Sequence, residues 1–238
     1  MTDGWDESAG AWIADMDGDQ GDWGRRHVLD APMLARVQAA APLSVLDVGC
    51  GEGRFCRRIA APGRSVIGID PTQALIAEAR RRDPGGDYRP GRGEDLPFED
   101  GAFDMVVSYL TLIDMPDYRA AIAEMARVLA PGGRLLIGNL TNFNSAAVGY
   151  DRPMTGPAPG RLAIDRYLDE RVDWVEWRGI RIQNWHRPLS AYMTSLLDQG
   201  LVLTHFAEPE PVGGDPVRRS EYRRAPWFMM MEWMRPAG

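Results

Sequence analysis

The residues Val45-Leu46-Asp47-Val48-Gly49-Cys50-Gly51-Glu52-Gly53 form a short apolar run that leads directly into three alternating glycines. Glycine has no Cβ, so the backbone of such a loop can approach a bound ligand closely. Dinucleotide-binding proteins use a related loop with the spacing G-x-G-x-x-G, whose third glycine would here fall at position 54. That position is Arg54, so the spacing disfavours a nucleotide-dependent oxidoreductase and suits a smaller amino acid moiety better.

Strand and helix patterns alternate through the region around the glycine loop. Short β-branched and apolar runs predict strands, and apolar residues at helical spacing predict helices, with Pro and Gly between them. Such alternation is typical of parallel βαβ units in an α/β domain. The predicted strands are 44–48, 66–70, 104–108 and 134–140, and the predicted helices are 54–60, 72–82 and 118–129, with Pro131-Gly132-Gly133 as a turn.

The flanking segments carry other patterns. Residues 1–42 predict helical structure, and residues 141–160 predict an irregular connection because Gly, Pro, Asn and Ser dominate them. The C-terminal predictions are a β-hairpin of 171–177 and 180–186, a helix at 189–199, a strand at 201–206, a polar loop at 212–226 and a final strand at 227–234. We expect one domain, 1–238, consisting of an N-terminal helical segment 1–42, a cofactor-binding core 43–140, a cap insertion 141–188 and the C-terminal part of the sheet 189–238.

The charge of the chain argues against a nucleic-acid partner. The net charge is −7, and the basic residues come in short bursts such as Arg80-Arg81-Arg82. Binding to phosphates requires a concentrated basic face, which these bursts do not provide. All 27 basic residues are arginine, which excludes any mechanism that needs a lysine Schiff base.

Composition also bears on compartment and on metals. No apolar run approaches the roughly 18 residues that a membrane span needs, and the acidic first residues do not resemble a signal peptide. Cys50 and Cys56 are too few for a disulfide framework or a structural zinc site. We therefore expect a cytoplasmic protein with reduced thiols, no membrane partner and no metal.

Acidic residues lie at the next two strand ends along the chain. Asp70 ends the strand at 66–70, where a carboxylate can accept both hydroxyls of a ribose. Glu94-Asp95-Leu96 follows at the next strand end, where a carboxylate can accept from an adenine amine while a backbone N–H donates to the ring. Taken alone, Asp70 and the run Glu94-Asp95-Leu96 could each equally belong to a polar turn. Together with the glycine loop they lie at the carboxyl ends of parallel strands, where open α/β sheets bind ligands.

These motifs, with Phe103-Asp104 and the run from Arg127 to Gly133, resemble in order and spacing those of class I S-adenosylmethionine-dependent methyltransferases. The resemblance covers residues 43–140. It implies a Rossmann-like α/β fold: a mostly parallel seven-stranded sheet with its last strand antiparallel, helices on both faces and a small cap or hairpin insertion. It also implies S-adenosylmethionine as the cofactor and S-adenosylhomocysteine as the product.

The resemblance further implies which residues hold the cofactor. The implied contacts are Arg25 at its carboxylate; Asp47, Gly49, Cys50, Gly51 and Gly53 at its methionine end; Ser108 from the fourth strand; Asp70 at its ribose; and Pro71, Glu94, Asp95 and the Leu96 backbone around its adenine. For Arg25, a plain surface position is an equal alternative.

The acceptor side is less defined, because residues 1–30 and 141–188 are only generically similar to those of relatives. The Asn-Pro-Pro-Tyr type signature of amino methyltransferases that act on nucleobases is missing. Candidates for a general base are His186, Asp114 and Tyr109. We favour His186, since relatives often show a similar His-Arg-Pro-Leu run, although it could instead pin the hairpin to the next helix. Trp174, Trp177 and Trp185 either line an aromatic or cationic-acceptor pocket or pack in the core.

Three functions remain open at this point. The first is methyl transfer to an O or N atom of a small-molecule acceptor, by a monomer or a homodimer. The second is a regulatory protein that binds S-adenosylmethionine without methylating. The third, disfavoured by the glycine spacing, is a nucleotide-dependent oxidoreductase.

Overall fold

The computed structural model describes residues 3–17, 22–151 and 161–237. The strands are β1 Ser44–Val48, β2 Ser65–Asp70, β3 Asp87–Pro90, β4 Phe103–Tyr109, β5 Leu129–Leu140, β6 Ala147–Asp151, β7 Arg161–Ile164, β8 Arg171–Trp177, β9 Ile180–His186, β10 Val202–Ala207 and β11 Phe228–Met234. The α-helices are α1 Trp5–Asp17, α2 Asp30–Ala40, α3 Arg54–Ile59, α4 Gln73–Arg82, α5 Tyr118–Val128, α6 Asn142–Ser145, α7 Leu189–Asp198 and α8 Pro216–Tyr222, and a π-helix, Arg25–Leu29, precedes α2. None of the helices described here is long and apolar enough to cross a membrane.

Within the described residues, seven strands form one sheet in the order β10-β11-β5-β4-β1-β2-β3. β11 runs antiparallel to both β10 and β5, and the other six strands of this sheet run in one direction. The predicted mostly parallel sheet with an antiparallel last strand is therefore confirmed. The register places Val48 opposite Ile69 and Asp47 opposite Val107, so the carboxyl ends of β1, β2 and β4 meet at one edge.

The sheet is covered by helices on both faces, as predicted. Successive residues of a strand point to opposite faces, and the buried positions follow that rule. Leu46 and Val106 pack with α5 and α7 on one face. Val45 and Met105 pack with α2 and α3 on the other. The apolar runs that predicted strands are thus buried on both sides, which is typical of a parallel sheet.

The chain between β5 and α7 lies outside the main sheet. The predicted hairpin is confirmed: β8 and β9 pair antiparallel from Arg171 opposite His186 to Trp177 opposite Ile180. The predicted irregular connection at 141–160 is corrected, since it contains the short helix α6 and the strand β6, which pairs with β7. Residues 152–160 of that connection lie outside the described part.

Two further predictions need correction. The predicted polar loop at 212–226 contains the helix α8, whose cap Asp215 accepts a hydrogen bond from the Arg218 amide at 2.9 Å and whose first residue is Pro216. This Asp-Pro start is a recognised helix signal. The predicted Pro131-Gly132-Gly133 turn lies within β5, where the register against β4 shifts.

Candidate active site

The glycine loop after β1 is fastened to the end of β2 by a carboxylate. Asp70 Oδ2 accepts a hydrogen bond from the Gly51 amide at 2.9 Å, and Asp70 Oδ1 accepts one from the Thr72 amide at 2.9 Å. Asp70 is buried, and this burial raises its pKa. The structure therefore brings Asp70 and the loop together, as predicted, and each oxygen retains a lone pair for a ligand hydroxyl.

The loop itself leaves room for a ligand. Gly51 has a φ of +55°, and a Cβ built there would meet nothing within 4 Å. A Cβ at Gly49, in contrast, would lie 2.4 Å from Thr111 Cγ2. Gly49 therefore permits close packing on the protein, and Gly51 presents backbone to open space.

Asp47, the fourth residue of β1, lies beneath this loop with unused hydrogen-bonding capacity. Its side chain is buried, and Oδ2 accepts a hydrogen bond from Cys56 Sγ at 3.2 Å. Oδ1 has no hydrogen-bond partner among the described residues. Burial raises the pKa of Asp47 to about 7. An unpartnered buried carboxylate oxygen suits the amino group of an amino acid moiety, so these residues fit the expected cofactor.

The adenine side agrees with the predicted contacts only in part. Pro71 and Asp95 are exposed, and half-buried Glu94 forms an ion pair with Arg92 at 3.2 Å. The Leu96 amide donates instead to Glu124 Oε2 at 2.8 Å. The Leu96 amide is therefore already paired with α5, and its contact with the adenine edge stays a prediction.

Ser108 is also placed differently from its prediction. Its side chain is fully buried, and its hydroxyl lies 2.7 Å from Thr111 Oγ1. Thr111 donates in turn to the Val48 carbonyl at 3.0 Å. Ser108 thus supports the glycine loop through Thr111, and its direct contact with the cofactor stays a prediction.

Arg25 lies where both sides of the site meet. Its Nη1 is 2.6 Å from Asp22 Oδ2, and its guanidinium covers the rings of Trp12 and Tyr109 at 4.9 and 5.5 Å. It also lowers the pKa of Asp47, against the larger effect of burial that raises it. This location favours the predicted cofactor contact over a plain surface position.

A cavity of 1220 Å³ lies beyond the end of β4, the neighbour of β1. Leu110, Ile113 and Asp114, which directly follow β4, line it. Other lining residues come from α1, the hairpin, α8 and the start of β11. This volume exceeds the roughly 300–1,000 Å³ of most small-molecule sites, so it can hold a sizeable acceptor.

Asp114 is the one predicted base that lines this cavity. Asn184 Nδ2 donates a hydrogen bond to Asp114 Oδ1 at 2.6 Å, and Asn184 lines the cavity as well. Loss of water contact raises the pKa of Asp114 well above the ordinary range of a carboxyl group. A carboxylate with a raised pKa is suited to accept a proton near neutral pH. Sequence reasoning missed Asn184.

Tyr109 does not face the cavity with its hydroxyl. The buried Tyr109 hydroxyl donates to Asp30 Oδ1 at 2.9 Å, and the same carboxylate binds Arg54 and Arg58. Burial beside Asp30 raises the pKa of Tyr109 well above its usual value. The Tyr109 hydroxyl thus joins β4 to α2, and its role as a base stays a prediction.

His186 is pinned on both sides of its ring. It is only 1% exposed; Nδ1 lies 2.8 Å from Ser145 Oγ, and Nε2 lies 2.8 Å from the Tyr167 carbonyl. Burial lowers its pKa. Both ring nitrogens hold the hairpin to its neighbours, which supports the alternative role of His186, and its role as the general base stays a prediction.

The next residue, Arg187, is a buried cation that sequence reasoning missed. Its guanidinium donates to the carbonyls of Leu112 at 2.8 Å, Met115 at 2.5 Å and Pro116 at 3.1 Å. It also lies 4.3 Å from the centre of the Tyr118 ring. These bonds fix the loop that carries Asp114.

The three hairpin tryptophans have separate positions. Trp177 lines the cavity, Trp174 is 44% exposed with Arg181 over its ring at 4.1 Å, and Trp185 lies beside Arg187. Among the described residues, no cluster of three His, Cys, Asp or Glu side chains is arranged to hold a metal ion.

The chain is similar to known methyltransferases. A family model described as a methyltransferase domain matches residues 46–137. The demethylmenaquinone methyltransferase of Beutenbergia cavernae is 34% identical over 182 residues, covering 67% of this chain and 74% of that protein. The trans-aconitate 2-methyltransferase of Methylobacterium nodulans is 33% identical over 166 residues, covering 65% of this chain and 64% of that protein.

Other curated relatives match over about half of their length, with coverage of 50%, 42% and 48%. An S-adenosylmethionine-dependent methyltransferase structure from Mesorhizobium loti superposes with a TM-score of 0.69 at 24% identity, over 84% of this chain and 96% of that one. At that identity the superposition supports the fold alone. The chain belongs to the class I S-adenosylmethionine-dependent methyltransferases, whose cofactor is S-adenosylmethionine.

Proposed function

We propose that this protein transfers the methyl group of S-adenosylmethionine to an O or N atom of a small molecule held in the 1220 Å³ cavity. The observation that carries the proposal is the position of two half-sites at the ends of neighbouring strands. Asp47, with an unpartnered oxygen, lies near the end of β1, and a cavity lined by Asp114 lies beyond the end of β4.

The bound cofactor supplies an electrophilic methyl group on a sulfonium. In this proposal Asp47 binds its amino group, Asp70 its ribose hydroxyls, and Arg25 its carboxylate. Fixing donor and acceptor in line can supply about 7–11 kcal/mol of the barrier. Asp114 orients the acceptor and receives its proton where the acceptor must lose one.

We also propose that segment 141–188 caps the acceptor. Asn144, Leu162, Trp177 and Asn184 all belong to this segment and line the cavity. A cover of this kind excludes water, which would otherwise compete with the acceptor and screen the charges in the site.

The test is incubation with methyl-labelled S-adenosylmethionine and an extract of small metabolites. We expect label in a low-molecular-weight product together with an equal amount of S-adenosylhomocysteine. Binding of the cofactor without any transfer would favour the regulatory alternative. A nicotinamide cofactor added to the protein is expected to show unchanged fluorescence, and a change would favour the oxidoreductase.

A further inference from the structure

Two groups of aromatic rings line the acceptor cavity. The first group consists of Trp12 on α1 and Trp177 on the hairpin, with ring centres 6.5 Å apart. The second consists of Trp23, Tyr222 and Trp227, with both successive centre distances at 4.8 Å. Since the rings of each group brace one another, they offer fixed aromatic surfaces to a ligand.

Four of the charged residues that line the cavity form two ion pairs with one another. Asp22 holds Arg25 at 2.6 Å, and Asp15 holds Arg178 at 2.6 Å. Arg25 also lies over Trp12, so the protein's own cation already covers that ring. A cationic acceptor would have to displace Arg25, whereas a neutral ring needs only an uncharged aromatic surface.

Asp114 and Asn184 place polar groups that could orient an acceptor beside the end of β4. Asp114 Oδ1 is bonded to Asn184, and the Asp114 carboxyl group faces the cavity. A ring hydroxyl placed there can donate to the carboxylate. A saturated hydrocarbon could not use this hydrogen bond and would gain less from the flat rings.

We propose that the acceptor is a neutral, planar, hydroxyl-bearing aromatic molecule whose ring lies against the Trp177 and Tyr222 groups and whose hydroxyl meets Asp114. This proposal rests on the proposed methyl transfer and adds the substrate class. In the reaction a C–O bond forms and the S–CH₃ bond breaks. The electron pair of the broken bond stays on sulfur, and the hydroxyl proton passes to the ionised Asp114 carboxylate.

The test is calorimetric binding to the full chain saturated with S-adenosylhomocysteine. The probes are 2-naphthol, the saturated alcohol 2-decalol and the cation 2-naphthyltrimethylammonium. We expect 2-naphthol to bind at least about tenfold more tightly than either comparison probe, a difference equal to one good aromatic contact. Equal binding of 2-decalol, or tighter binding of the cation, would overturn the proposal.

Two variants locate the ring. Trp177→Leu and Tyr222→Leu should each weaken 2-naphthol binding about tenfold while leaving cofactor affinity unchanged. Trp174→Leu is the matched control, since Trp174 lies on the same hairpin but does not line the cavity. If Trp174→Leu alone weakened 2-naphthol binding, the placement of the ring against Trp177 and Tyr222 would be overturned. Failure of S-adenosylhomocysteine to bind would instead contradict the proposed function, whatever 2-naphthol does.

Discussion

The buried carboxyl group of Asp47 gives cofactor binding a specific dependence on pH. Its pKa is raised by burial to about 7, so a proton occupies it below neutral pH. A cofactor ammonium that binds the carboxylate must then expel that proton, and affinity falls as pH drops below 7, by up to about tenfold per unit. Above about pH 8 the cofactor amine itself loses its proton, so affinity should peak between these values.

Calorimetry of S-adenosylmethionine from pH 5.5 to 9 checks this expectation. Asp47→Asn should bind more weakly at pH 7.5 and lose the acidic limb of the profile, since it has no carboxyl group to titrate. An acidic limb that persists unchanged in the variant would assign the titration to another group.

Substitutions of Asp114 and His186 should affect turnover differently. Asp114→Asn should lower kcat by about 10²–10⁴-fold with cofactor affinity preserved, if Asp114 accepts the acceptor's proton. In the native protein kcat should rise with pH through the raised pKa of Asp114, because only the ionised form is a base.

His186→Gln serves as the comparison, because its role is to hold Ser145 and Tyr167. We expect lower thermal stability in this variant but the same pH profile of kcat. If the rise of kcat with pH disappeared in His186→Gln but persisted in Asp114→Asn, the base would be His186 and not Asp114.

Several site residues were predictable because their chemistry is set by their position along a strand. The locations of Asp47, Gly51 and Asp70 were predictable because these residues lie at, or just after, the carboxyl ends of adjacent parallel strands. The surroundings of His186 and Tyr109 were not predictable, since residue type identifies a possible base but not the direction of its side chain. Whether a ring nitrogen faces a cavity or a backbone carbonyl is decided by tertiary packing.

At the level of elements, the loop between β4 and α5 depends on one buried cation. Arg187 is 1% exposed and donates to three carbonyls of residues 112–116. Arg187→Met keeps the apolar stem but leaves those carbonyls without a donor, at a cost of at least about 3 kcal/mol. For a chain of this size we expect a fall in Tm of about 6–12 °C.

The same variant should lower kcat more than it weakens cofactor binding, because Asp114 lies on the released loop. Differential scanning calorimetry and kinetics measure the two effects. An unchanged Tm, or a loss confined to cofactor affinity, would contradict the positioning role.

The elements of the core were predictable from local patterns, whereas others depended on distant partners. β1, β2 and β4 are buried on both faces, so their apolar runs are continuous and bounded by Gly or Pro. α8 was missed because none of its described residues is buried and its polar composition resembles a loop. The pairing of β6 with β7 was missed because it joins segments about ten residues apart.

At the scale of the whole molecule, α1 joins the cofactor side to the acceptor side. Asp17 on α1 binds Arg82 on α4 at 2.9 Å, and Asp15 binds Arg178 at the hairpin turn at 2.6 Å. Trp12 on the same helix lines the cavity. The cavity itself could not be predicted, since its walls come from residues as far apart in sequence as Trp12, Trp177 and Tyr222.

The central claim is that the glycine loop and its carboxylates hold S-adenosylmethionine beside this cavity. It is tested most directly by calorimetric binding of S-adenosylmethionine to the native chain and to Asp70→Ala at pH 7.5. We expect one molecule bound per native chain and a loss of roughly 2–4 kcal/mol in the variant, since two hydrogen bonds to a charged group are removed. A folded Asp70→Ala protein with native Tm and native affinity would contradict the account.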